Sequence, residues 1–241
     1  MKRGTSVLLS TLIVLPMLAV LVGLGFWQLQ RLQQKEEFIA QRAYGFSQPP
    51  VELTSRDTNL PSLAWRRVKV TGRFDYTHEF HLWALRDGRA GYDILTPMTR
   101  TDGAPGQLVM VDRGWVPMEK KDPSTRAAGD PEGAVEVNGF VRIDLDGRSA
   151  VTPDNDLAKN IWYWVDYNAM SQQLSNFVRP LVVVADATPN AGGLPLGISE
   201  PPTLPNRHLE YALTWFGLAV TLVVMFVLML RRQFKGASIT A

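Results

Sequence analysis

The chain has 241 residues, 46% hydrophobic and 20% charged, with a formal net charge of +2, three histidines and no cysteine. Disulfides, thiolate metal sites and cysteine nucleophiles are therefore excluded. The mean hydropathy of -0.05 averages over unlike parts. Lys2, Arg3, Arg231, Arg232 and Lys235 are the charges of the two tails, none of them acidic, whereas Arg31 to Glu210 holds 20 basic and 23 acidic residues.

Residues 6–29 carry no charge and are rich in Leu and Val. At about 1.5 Å per residue they cross a hydrocarbon core of about 30 Å, so they are expected to form a transmembrane helix. The rival reading is a cleaved signal peptide, but the apolar run is longer than such segments have, and no convincing small-residue cleavage site follows it. Pro16 is tolerable in a membrane helix, and Ala19 with Gly23 offers a small-residue face for packing a second span.

Alternation of apolar and polar residues predicts strands at Trp65 to Phe74, Glu79 to Leu85, Tyr92 to Met98, Gln107 to Val116, Ala134 to Ile143, Ile161 to Val165 and Pro180 to Ala185. Asp87-Gly88, Asp102-Gly103, Asp146-Gly147 and Pro153-Asp154-Asn155 are turn signals between them. This spacing suggests a twisted antiparallel sheet or partly closed barrel. Asp166 is a candidate N-cap for one short helix through Met170 to Leu174. The Pro- and Gly-rich stretches Ser47 to Leu63 and Pro189 to Pro205 read as linkers.

The second uncharged run, Tyr211 to Leu230, ends on Arg231 and Arg232. Basic residues cluster in the tails and acids lie only on the loop side, which directs both termini to the cytoplasm. The expected fold is an integral membrane α+β protein. Two transmembrane helices, 6–29 and 211–230, flank a mainly antiparallel β domain with one short helix. Residues 1–5 and 231–241 are cytoplasmic tails, and 30–210 form the extracytoplasmic domain. No Arg-rich transit segment precedes the first span, so a bacterial inner membrane with a periplasmic domain fits better than an organelle.

Enzymatic and metal motifs are poorly represented. His78 and His81 lie three apart in a predicted strand, would point to opposite faces, and read as strand-surface residues. Asp154, Asn155 and Asp156 begin like a calcium loop, but Ala158 and Lys159 stand where a ligand and a glycine belong. No phosphate loop, zinc-protease motif or nucleophile elbow occurs. A membrane-anchored hydrolase would need a carboxylate pair assembled by the fold, and no spacing picks one out. No basic patch supports a nucleic-acid partner.

The unusual residues gather where the spans leave the membrane. Trp27, Arg31 and Lys35 recur at intervals of four with Gln28 one position over, while His208, Tyr211, Ala212 and Trp215 share a helical face if the second helix begins by Asn206. Aromatic belts and snorkelling cations are one account of these stripes. Heme is the other: a neutral imidazole at His208 is a ligand for iron, and Arg31 with Lys35 suits propionates.

At these residues the chain resembles the Surfeit locus protein 1 family of cytochrome c oxidase assembly factors. Gly25-Phe26-Trp27-Gln28 through Arg31 to Lys35 is similar to the family's exit from the first span, with Gln34 where the family usually has Trp. Gly91-Tyr92, Thr96-Pro97 and Val109 to Pro117, including Arg113-Gly114-Trp115, are similar to its strand segments. Asn206-Arg207-His208 through Tyr211-Ala212 to Trp215-Phe216 resembles its approach to the second span.

The resemblance implies a non-enzymatic factor that delivers or retains heme a, with His208 as ligand to the heme iron. Arg31 and Lys35 toward the propionates, and Trp27, Tyr211 and Trp215 as walls, are additions from the residues themselves. The expected partners are the catalytic subunit of the oxidase, heme a synthase as a second candidate, and membrane lipid. A cofactor-free scaffold for assembly intermediates is the alternative. The Arg113-Gly114-Trp115 segment is expected to be structural, with Gly bending a strand end and Trp packing on the sheet.

Overall fold

In the computed structural model the described residues are 3–54, 56–57, 59–102, 107–143, 145 and 147–235. The turn signals Asp102-Gly103 and Asp146-Gly147, Lys2 in the first tail and residues 236–241 of the second fall wholly or partly outside them. The chain divides into a helical unit, residues 1–41 with 203–241, and a strand unit, residues 42–202.

In the helical unit, α1 runs from Arg3 to Ser47 and α4 from His208 to Lys235. Both are long and apolar enough to cross a membrane. Helix α1 does not stop at Leu29, because Gln30 to Ala43 are good helix formers with no Gly or Pro among them. The two helices meet at Gly25, where an added Cβ would lie 2.5 Å from the Phe216 ring. Phe26 meets Phe216 edge-on at 5.5 Å between centroids, and Ala212 and Ala219 are buried. The expected small-residue face at Ala19 and Gly23 is not the contact: both are exposed, and nothing stands within 4 Å of a Cβ built at Gly23. Those two residues lie off the face through Leu18, Leu21, Gly25 and Gln28 that is partly or fully buried.

The strand unit contains β1 (Val51–Glu52), α2 (Leu60–Leu63), β2 (Arg67–Phe74), β3 (Phe80–Arg86), β4 (Arg89–Arg100), β5 (Gln107–Pro117), β6 (Val135–Arg142), β7 (Ile161–Trp162), α3 (Tyr167–Gln173) and β8 (Phe177–Ala185). The sheet order is β1-β2-β6-β8-β5-β4-β3-β7, and β2 also pairs with β4. That last pairing closes β2, β6, β8, β5 and β4 into a ring, a five-stranded barrel. It is mainly antiparallel, with parallel pairs at β1–β2, β3–β7 and β5–β8.

Alternation sends Val68, Val70, Val109, Val111, Val141, Leu181 and Val183 to one core. The intervening Met110, Phe140, Val182 and Val184 face a second core with Phe80, Trp162 and Met170. Helix α3 covers that second core and starts where the sequence places it: the Asp166 carboxylate accepts from the Ala169 N–H at 2.9 Å.

The two stretches read as linkers belong to the domain. Leu53 is 2% exposed and joins the barrel core with Leu63, because β1 adds to β2 in parallel. Leu196 exchanges two backbone hydrogen bonds with Trp115, each 2.9 Å. Pro content hid a strand that sits at a sheet edge, where a missing donor is harmless.

Candidate functional site

His208 is the first residue of α4, one turn earlier than an interior position and two residues after Asn206, whose Oδ1 is 3.5 Å from the His208 amide. Its face continues to Tyr211, Ala212 and Trp215. Across from it, Gln28 on α1 brings its Oε1 to 2.7 Å from His208 Nδ1. A carboxamide oxygen only accepts, so this contact calls for the tautomer with the proton on Nδ1. In the neutral ring Nε2 then keeps its lone pair, the form in which histidine binds a metal.

On α1 the Arg31 guanidinium lies 5.6 Å from the Trp27 ring centroid, and its Nη1 donates to Gln34 Oε1 at 3.0 Å. Lys35 Nζ lies 6.0 Å from the Phe38 ring. Among the described residues neither cation is paired with a carboxylate, so both charges remain available to an anionic group. Gln34, standing where the resembled pattern has Trp, thus contributes a polar brace for Arg31 in place of an aromatic face. Trp27 and Tyr211 are 46% and 54% exposed, while Trp215 is half-buried. The structure joins His208 to Gln28 and Arg31 to Trp27; it shows no contact of Lys35, Tyr211 or Trp215 with the histidine. The donor set suits a heme: one lone-pair imidazole nitrogen, two cations and exposed aromatic rings.

Sequence reasoning named Gln28 but gave it no role. The signal was its place beside Trp27, on the helical row that continues from Gly25.

The strand unit holds two further polar clusters. Glu79, 6% exposed, receives Arg113 Nη1 at 3.1 Å and Arg126 Nη1 and Nη2 at 3.1 and 2.5 Å. Arg113 also lies 2.8 Å from Asp130 Oδ1 and stacks over Tyr76 at 4.8 Å. Burial alone would raise the Glu79 carboxyl, but the neighbouring His81 ring and the two guanidiniums outweigh it and hold the pKa at about 2. His81 Nε2 stands 3.9 Å from Glu79 Oε2, beyond hydrogen-bond reach.

The histidine expectation needs correcting here. His78 lies in a 3-10 turn, with Nδ1 2.7 Å from Asp75 Oδ2, and His81 is buried at 6% exposure. A surface position for His81 fails because its ring packs beside Tyr92, 6.0 Å between centroids, at the buried start of β3. The calcium-like triplet is structural too: Asn155 Oδ1 accepts from the Tyr163 N–H at 2.8 Å, and Asp156 Oδ1 from the Lys159 N–H at 3.0 Å.

The second cluster is an acid pair. A β-bulge between Asp93 and Leu95 shifts the β4–β5 register, so Asp93 and Asp112 both line a cleft of about 320 Å³ with Arg86, Arg142 and Trp115. Burial raises Asp93 to about 6, against the pull of Arg86 and Arg142. Asp112 is raised well above the ordinary carboxylate range by burial and then by the Asp93 charge. Its Oδ1 accepts the Gly114 N–H at 2.9 Å. Gly114 has φ +119°, and a Cβ there would lie 2.2 Å from Leu196 O, so the Arg-Gly-Trp segment is built for packing: Trp115 is 2% exposed.

Two helices long and apolar enough to cross a membrane, one before and one after a closed strand domain, with cations along the first and a histidine opening the second, define a class of two-helix, strand-domain protein. The sequence profile of the SURF1 family matches residues 15–220. A SURF1-like protein of Monosiga brevicollis is 34% identical over 88% of this chain and 84% of its own length. One from Rickettsia felis is 32% identical over 91% and 96%, and Surfeit locus protein 1 of Mus musculus is 33% identical over 89% and 74%. The chain belongs to the SURF1 family.

Proposed function

We propose that this chain is a non-enzymatic membrane factor that holds heme a as cargo during assembly of cytochrome c oxidase, with His208 as the iron ligand. The single observation that carries this reading is the bond from His208 Nδ1 to Gln28, which leaves Nε2 free to coordinate. Family membership supplies the oxidase context, and the two apolar helices supply the membrane anchor. Arg31 and Lys35 take the propionates, and Trp27, Tyr211 and Trp215 wall the macrocycle. Residues 6–29 and 211–230 span the inner membrane, both termini are cytoplasmic, and residues 30–210 are periplasmic. The cargo passes from heme a synthase to the catalytic subunit of the oxidase.

A single axial bond suits a carrier. One imidazole, two cations at a water boundary and partly exposed rings give retention with a low barrier to release, whereas a buried site with two axial ligands would trap the group. The chain's own residues orient the ring nitrogen and place positive charge; the cargo needs no bond broken or made besides its axial one.

The test is an absorption spectrum with pyridine-hemochrome analysis of detergent-purified protein, co-expressed with a heme-a-synthesising pathway. The wild type is expected to carry heme a and His208→Ala to lose it, with helical content unchanged. Equal heme in both proteins overturns His208 as ligand. Absence of heme from both overturns the carrier reading and leaves a cofactor-free scaffold that stabilises assembly intermediates.

A further inference from the structure

We infer that Gln28 is a positioning residue that fixes the tautomer and ring orientation of His208, so that a ligand-ready Nε2 exists before any cargo arrives. The inference rests on the heme reading only for its consequence; the tautomer itself follows from the contact between Gln28 and the His208 ring.

The argument starts from the ring. A neutral imidazole has two tautomers, and whichever nitrogen donates a hydrogen bond is withdrawn from coordination. His208 sits in the first turn of α4, and no backbone carbonyl is bonded to its ring among the described residues. The bond that is present runs to another helix, 180 positions away in sequence, at 2.7 Å. Gln28 is half-buried and lies three residues after Gly25, so it is one turn along α1 from the place where Gly25 meets Phe216. The close approach permitted by Gly25 against Phe216 therefore sets the spacing over which Gln28 can reach the ring. A glutamine rather than a carboxylate in this position has a chemical consequence. It fixes the tautomer and rotation without adding a negative charge, so the imidazole stays a moderate donor to iron and the cargo remains releasable.

The experiment uses the full chain in detergent, labelled with 15N-histidine and recorded at pH 8.5. The three histidines are distinguished by their substitution, and His208 by His208→Ala. The wild type is expected to show His208 with the proton on Nδ1. Gln28→Leu, which removes the acceptor with little change in volume, is expected to transfer a measurable share of the population to the Nε2-protonated form. Gln28→Glu keeps an acceptor and is expected to retain the Nδ1–H form, which also serves as the readout if Gln28→Leu does not fold. Titration with ferric heme, followed by the Soret band, is expected to show an affinity about tenfold weaker in Gln28→Leu, the low end of losses from outer-shell substitutions. An Nε2-protonated His208 in the wild type, or an unchanged tautomer in Gln28→Leu, overturns the inference. Loss of Nδ1–H in Gln28→Leu together with identical heme affinity in the wild type and His208→Ala upholds the positioning role and overturns the carrier reading instead, so the two failures are distinct.

Discussion

The buried charges of the strand unit converge on Glu79. Its carboxylate is the shared acceptor of Arg113 and Arg126, whose side chains are 4% and 1% exposed. Burying two guanidiniums is unfavourable unless an anion compensates them, and removing one member of such a group leaves charge stranded. Glu79→Gln preserves shape but removes the charge, so it is expected to destabilise the domain by about 3–5 kcal/mol, the range for broken buried pairs. Urea unfolding followed by tryptophan fluorescence measures it, and a loss below about 1 kcal/mol would show that Asp130 alone balances both arginines. This role also explains Arg113 in the Arg-Gly-Trp segment. Its guanidinium binds Gly129 O at 2.5 Å as well as Glu79, so it ties β5 to the 3-10 turn at Pro123–Gly129. Sequence placed that segment correctly as structural, but the acid that receives it lies 34 positions earlier and no periodicity connects the two.

At the scale of elements, legibility follows the range of the signal. Strands such as β2 were readable because alternation is local and one face is buried while the other meets solvent; α3 was readable because Asp166 caps its own helix. The span of α1 was visible as an apolar run, yet its continuation to Ser47 was not separable from a loop by hydropathy alone. Strand β1 and the Leu196 bridge depend on partners far along the chain, so Pro-rich composition misread them as linkers. The candidate site divides in the same way. His208, Trp27 and Arg31 stand out by residue type at the ends of the apolar runs, whereas the Gln28–His208 bond needs the rotation of both helices, which Gly25 decides. Enlarging that glycine is the test of this dependence. Gly25→Leu must displace the Phe216 ring, and it is expected to weaken ferric-heme binding and the Nδ1–H population of His208 together. Phe216→Ala in the same chain is expected to restore part of both, since neighbouring substitutions that share one contact are not additive. No rescue in the double variant would place the fault of Gly25→Leu elsewhere than at this contact.

For the molecule as a whole, the two clusters of the strand unit oppose each other in pH. Glu79 has a folded pKa of about 2, below its ordinary value of 4.5, so its contribution is present above pH 4.5 and is lost as pH falls toward 2. Asp93 and Asp112 both have raised pKa values, Asp93 at about 6 and Asp112 well above the ordinary carboxylate range, so the folded state resists their ionisation. Their effect has the reverse sign: stability is fully present below about pH 3.8 and declines as pH rises from there through about 6. Together they predict a maximum in acidic solution, between about pH 3.8 and 4.5. Asp112→Asn separates the two limbs, because the carboxamide oxygen still accepts the Gly114 N–H while the ionisable group is gone. Its thermal midpoint is expected to exceed the wild type's by about 4 °C or more at pH 8 and to match it near pH 3.5, below the ordinary carboxyl value, a shift on the order of 1 kcal/mol for a domain of this size. A midpoint lowered equally at both pH values would mean that the acid pair contributes a specific hydrogen bond to the cleft rather than an unfavourable charge. The steep alkaline limb would then have to come from another buried acid, and Tyr76, raised by burial to about 12, titrates too high to supply it.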